Sequence, residues 1–122
     1  MKTALALVLA VTLLPSGPVQ GRWLGSVETP HGAAPLQLTV PASDSSAGTE
    51  LTFMGATIRG AAQAWTVTGD SVSFGILFTT DMGAGEFRLA GRVVESTMSG
   101  TYVGLMGGQE MSRGAWSLKK QP

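Results

Sequence analysis

Apolar and polar residues alternate with a period of two along most of this chain. Val72, Phe74, Ile76 and Phe78 share one face of a stretch whose other face carries Ser71, Ser73, Gly75 and Leu77. Phe87, Leu89, Gly91 and Val93 alternate with Arg88, Ala90 and Arg92, and Leu36, Leu38 and Val40 alternate with Gln37 and Thr39. Trp65 and Val67 lie between Thr66 and Thr68. A period of two belongs to a strand with one buried face. Turn-forming residues separate these runs at 29–34, 42–48, 69–70, 81–85 and 107–108. The pattern predicts strands over 22–28, 35–40, 49–54, 56–59, 63–68, 71–79, 86–94, 97–103 and 111–119.

Glycine and proline exclude a helical alternative. After Gly21 no stretch free of both exceeds eight residues. An interior glycine costs a helix about 1 kcal/mol and a proline about 3 kcal/mol, so a helical core would carry repeated penalties. The fold class read from the chain is therefore all-β. The expected architecture is a small antiparallel meander barrel of about eight strands, because closure removes the exposed edges a meander would otherwise keep. A two-sheet sandwich is the alternative.

The first residues follow a different rule. Lys2 precedes an almost wholly apolar run from Thr3 to Leu14, which Pro15, Ser16 and Gly17 end. The run is short for a membrane span, which needs about 20 apolar residues, and it has the form of a cleaved export signal. Residues 1–21 are read as that signal, with Val19 and Gly21 at the offsets for cleavage before Arg22; cleavage after Ser16 is the other choice. Residues 22–122 are read as one domain. The expected location is periplasmic or secreted, with no stable membrane span once the signal is gone. The chain has no cysteine, so the domain must fold on its core without disulfides.

Charge adds little. Eight basic residues balance eight acidic ones, which is not the basic footprint of a nucleic-acid binder. Several short motifs touch on chemistry, but none is completed by its neighbours. Gly69-Asp70-Ser71 matches the nucleophile block of some esterases, yet the only histidine, His31, lies upstream, and the same residues suit a hairpin turn. Ser117 and Lys120 stand three apart, as in penicillin-recognising enzymes, but on a strand they point to opposite faces. Glu28 and His31 fall short of the three or four ligands that zinc requires. Asp81 and Glu86 flank one predicted loop and read as solvated carboxylates rather than a glycosidase pair. Arg88 and Arg92 share a strand face and, with Lys119 and Lys120, would make a basic stripe if their strands were adjacent. The reading is a protein without catalytic machinery, metal or cofactor.

The two ends of the domain carry a likeness. It opens with Gly21-Arg22-Trp23 and closes with Arg113-Gly114-Ala115-Trp116. An opening Gly-x-Trp resembles the first-strand signature of lipocalins and the wider calycin group. That resemblance implies that Trp23 packs across the closed end of a barrel, with Arg113 as the candidate cation over it. The chain is more closely similar to a lipocalin-like barrel module of exported bacterial proteins, often found upstream of serine hydrolases or peptidases. The shared pattern is Gly21–Val27, Pro30–Val40, Gly69–Phe74, Phe87–Gly91, Ser99–Thr101 and Gly114–Leu118, in that order. Gly21, Trp23, Arg113, Gly114 and Trp116 are its structural signature.

The inward aromatic set is Trp23, Phe53, Trp65, Phe74, Phe78, Phe87 and Trp116. It either fills the barrel or leaves a pocket at one mouth. The ligand reading places a small apolar molecule between Trp65, Phe74, Phe78 and Phe87. The rival reading is a protein-interaction module, such as a peptidase inhibitor or an accessory partner of a secreted hydrolase. A monomer is expected in either case.

Overall fold

A computed structural model describes residues 19–41, 47–53, 55–81 and 83–122. Most of the segment read as an export signal, and the polar stretch at 42–46, lie outside the described residues. Nine strands follow in order: β1 (Gly21–Thr29), β2 (Gly32–Val40), β3 (Gly48–Phe53), β4 (Ala56–Ala61), β5 (Gln63–Thr68), β6 (Ser71–Thr80), β7 (Gly83–Val94), β8 (Thr97–Met106) and β9 (Gln109–Lys120). Every predicted strand is present. The hairpin β6–β7 is tighter than expected, because its ladder continues up to Thr80 opposite Gly83.

All neighbours are antiparallel and form one sheet in the order β4-β3-β2-β1-β9-β8-β7-β6-β5. The first and last strands pair, from Trp23 opposite Lys120 to Val27 opposite Trp116, and this pairing wraps the meander into a nearly closed barrel. It also sets aside the two-sheet alternative, since one continuous sheet supplies the whole wall.

The ninth strand comes from a break rather than an extra crossing. β4 pairs only with β3 and β5 only with β6, and the alternating directions make β4 and β5 run the same way. Residues 56–68 are thus one crossing of the wall that changes partner halfway. The change occurs around Ala62, whose N–H donates to the Ala47 carbonyl at 2.7 Å. The β5–β6 register then slips between Gln63 and Thr66, where Ala64 sits at φ 50°, a left-handed conformation that costs a non-glycine residue about 1–2 kcal/mol.

The wall faces inward through Trp23, Leu36, Leu38, Leu51, Phe74, Ile76, Phe87, Leu89, Met98, Tyr102, Trp116 and Leu118, all essentially buried. Large and small inward residues alternate between strands. The Trp116 ring lies 2.8 Å from where a Cβ on Gly91 would be, and the Tyr102 ring 3.0 Å from one on Gly114. The Phe78 ring fills the space beside Gly85, and Phe87 that beside Gly104. Rings lying over cross-strand glycines let eight wall crossings close around bulky side chains.

One end of the barrel is plugged. Val19 is completely buried, and the Trp23 Nε1–H donates to its carbonyl oxygen at 2.9 Å. Lys120 Nζ stands 5.8 Å from the Trp23 ring centre, near enough for a cation–π attraction. The cation over Trp23 is therefore Lys120. Arg113 lies farther up β9 opposite Val103, exposed and paired with Glu110. Lys120 rather than Arg113 takes this place because it is the β9 residue directly opposite Trp23.

Candidate functional site

The opposite end is the mouth. Four turns surround it: Thr29 to Gly32, Phe53 to Ala56, Thr80 to Gly83 and Met106 to Gln109. Phe53 from β3 and Phe78 from β6 are half-buried there, and both meet Phe87, which is 3% exposed. The Phe53 and Phe87 ring centres are 5.3 Å apart and nearly perpendicular. Phe78 and Phe87 are 5.2 Å apart, and Phe87 and Tyr102 are 5.8 Å apart. Edge-to-face and tilted arrangements at these distances are the favourable ones for aromatic rings. His31, in the β1–β2 turn, places its ring 6.4 Å from Phe53 at the rim.

The local sequence explains why these rings gather. Phe53 ends the inward row of β3, Phe78 is the last aromatic of the inward row of β6, and Gly85 opposite Phe78 leaves room for its ring. The Tyr102 hydroxyl donates to the Glu28 carbonyl at 2.9 Å.

The four residues expected to hold a ligand fall into two groups. Phe78 and Phe87 belong to the mouth. Trp65 and Phe74 pair with each other at 5.6 Å, and Phe74 packs edge-on against Trp116 at 5.8 Å. The second group lies lower in the wall, where Trp116 Nε1–H is shared between the carbonyls of Thr101 (3.0 Å) and Ala90 (3.3 Å). Alternation had placed Phe53 among the inward aromatics but could not bring it across the barrel to Phe87. Tyr102 was missed because a lone tyrosine between Thr101 and Val103 carries no mark of its own.

Among the described residues the charged side chains stay on the outer surface. Among the described residues the one buried polar side chain besides Tyr102 is Thr49, whose hydroxyl donates to the Gly60 carbonyl at 3.3 Å. No group of three or more metal-binding side chains gathers among the described residues. Arg88 pairs with Glu86 at 3.2 Å and Arg92 with Asp70 at 3.2 Å. Strand β8 separates β7 from β9, so the basic stripe does not assemble. Asp70 sits in the Gly69-Asp70 hairpin turn, Glu86 is held by Arg88, and His31 is exposed in its loop with its backbone N–H on Thr29 Oγ1. The Glu110–Arg113 contact holds the Glu110 carboxyl below its usual range and the Arg113 guanidinium above its own, chiefly through their shared hydrogen bonds.

The outer wall carries two depressions of note. A cleft of about 360 Å³ runs over the small outward residues Ala64, Ser73, Gly75, Ala90 and Thr101, with Arg88 at its rim. A notch of about 210 Å³ lies between β4 and the upper part of β6. No known protein family, curated protein or solved structure matches this chain.

Proposed function

We propose that this protein is an exported, non-catalytic lipocalin-like barrel that holds a small apolar ligand at its aromatic mouth. The observation that carries this reading is the placement of Phe53 and Phe78, half-buried over Phe87 at the end opposite Val19. Aromatic rings in a core are normally covered fully, since each contributes about 1.5–3 kcal/mol on burial. Rings left part-exposed at a barrel mouth suit a planar or branched apolar molecule that completes their packing. The absence of described inward charges supports an uncharged ligand.

The test is a titration with an apolar fluorescent dye, followed by dye emission and by energy transfer from the tryptophans. Saturable one-to-one binding that Phe78→Ala weakens and Trp65→Ala leaves intact supports the mouth. Binding that Trp65→Ala removes instead moves the site to the lower wall. No saturable binding makes the aromatics filled core and ends the carrier reading.

The interaction-module reading has one observation in its favour: Leu77 points outward and is 53% exposed beside the notch.

A further inference from the structure

Because residues 56–68 change partner halfway, two strand edges face each other without pairing. Among the described residues β4 is laddered to β3 on one side only, and β6 from Ile76 to Thr79 is laddered to β7 only. No backbone hydrogen bond joins β4 to β6 among the described residues. Between them lies the notch, lined by Thr49, Ile58, Arg59, Gly60, Ile76 and Leu77. β4 is the least covered strand: Ile58 alone of its six residues is even half-buried. An open edge is normally blunted by proline, by charge or by a bulge. β4 has no proline, and its one charge, Arg59, is turned to Glu50 on the neighbouring strand.

The inner side of this edge is also vacant. Gly60 is in register with Thr49, which is buried, so its missing side chain would point into the barrel. A Cβ there would meet nothing within 4 Å, whereas at inward Gly91, Gly100, Gly104 and Gly114 it would meet a ring or neighbouring backbone. The flanking apolar groups are Ile58 and the buried Ile76.

We propose that the notch receives an extended peptide segment of another protein, which adds to the free edge of β4 as an antiparallel strand. Only an extended backbone presents N–H and C=O groups at the spacing of a strand edge. The side-chain pattern follows from the alternation. Residues opposite Ile58 and Gly60 point inward and are apolar, with the one opposite Gly60 filling the vacant space. The residue opposite Arg59 points outward and is acidic, and its neighbours lie beside Thr57 and Leu77. The partner chemistry is thus a short alternating segment of the form apolar–acidic–apolar. This inference does not depend on the ligand at the mouth.

The probe is a fluorescein-labelled peptide, Thr-Ile-Glu-Val-Thr-Val amide, titrated into the whole protein and followed by anisotropy. The same titration uses a second peptide whose backbone nitrogens facing β4 are methylated, with every side chain kept. Amide hydrogen exchange locates the bound strand. Expected are saturable binding, slower exchange confined to residues 56–61 and the facing part of β6, and a loss of about tenfold or more on methylation. Gly60→Val, which fills the vacant space, weakens the peptide by a similar factor and leaves dye binding at the mouth unchanged. Equal binding of the methylated peptide, protection elsewhere, or no saturation at millimolar peptide overturns the proposal. So does protein that pairs with itself through residues 56–61, which would make the occupant a second copy. Loss of dye binding alone speaks against the mouth and leaves the notch standing.

Discussion

Tyr102 reaches over Gly114 to donate its hydroxyl hydrogen to the Glu28 carbonyl oxygen, 2.9 Å away. One side chain thereby ties β8 to β1 across β9, next to the β1–β9 pairing that closes the barrel. The Tyr102 ring takes up the room left by the missing side chain of Gly114, and a Cβ at Gly114 would meet the Glu28 oxygen at 2.7 Å as well as the ring at 3.0 Å.

Tyr102→Phe keeps the ring and removes the bond. The expected cost is about 1 kcal/mol, with up to about 3 if the Glu28 carbonyl finds no other partner. That corresponds to a fall in melting temperature of roughly 4–8 °C per kcal/mol for a domain of this size. Thermal unfolding followed by circular dichroism measures it. An unchanged midpoint would mean that the hydroxyl contributes nothing to closure.

Two inward-facing glycines should respond in opposite ways. A Cβ at Gly100 would run into the Ala90 carbonyl and the Gly91 Cα on the adjacent strand, both of them backbone. Gly100→Ala is expected to destabilise by about 3 kcal/mol or more, since β7 and β8 would have to separate. Gly60→Ala meets open space and should be neutral or stabilising by about 0.4–1 kcal/mol, through loss of unfolded-chain freedom. Urea midpoints of the two variants against the parent decide this.

Ala64 holds a left-handed backbone at φ 50° where β5 slips its register on β6. Glycine adopts that conformation without the Cβ clash. Ala64→Gly is expected to stabilise by about 0.5–1 kcal/mol, the relief of about 1–2 kcal/mol being partly offset by glycine's greater freedom when unfolded. A lower urea midpoint for the variant would contradict the strain.

Glu110 titrates below an ordinary glutamate because hydrogen bonds from Arg113 stabilise its charged form. With the folded pKa depressed, its contribution to stability is present above the unfolded value and is lost as pH falls through the folded value. Both side chains are exposed, so the effect is best read from the group itself. Carboxyl chemical shifts against pH should show Glu110 titrating below the ordinary glutamate value, and Arg113→Gln should return it to the usual range.

The folded domain includes residues upstream of Arg22. Val19 is completely buried and its carbonyl accepts the Trp23 indole N–H. Cleavage before Arg22 would strip that plug, exposing core and leaving a buried donor unpaired at about 1–3 kcal/mol. If the chain is exported, the expected mature protein starts upstream of Val19, consistent with cleavage after Ser16. Intact mass of the exported form is the check, and a start at Arg22 would refute it.

Much of this architecture is legible in the amino-acid order. The period of two and the spacing of glycine and proline are local properties, and they place every strand and nearly every turn. They also identify which residues face inward, including Trp23, Phe53, Phe74, Phe87 and Trp116. Alternation assigns a face but not a height along the barrel. Height depends on strand stagger, which is decided only when β1 meets β9 and every ladder is in place. For that reason Lys120 rather than Arg113 came to lie over Trp23, and the four expected ligand residues separated into a mouth pair and a wall pair. The change of partner at Ala62 likewise has no local signature, because Ala56–Ala61 and Gln63–Thr68 read as two ordinary strands. Only closure of the wall shows that they are one crossing, and that its upper edge was left open.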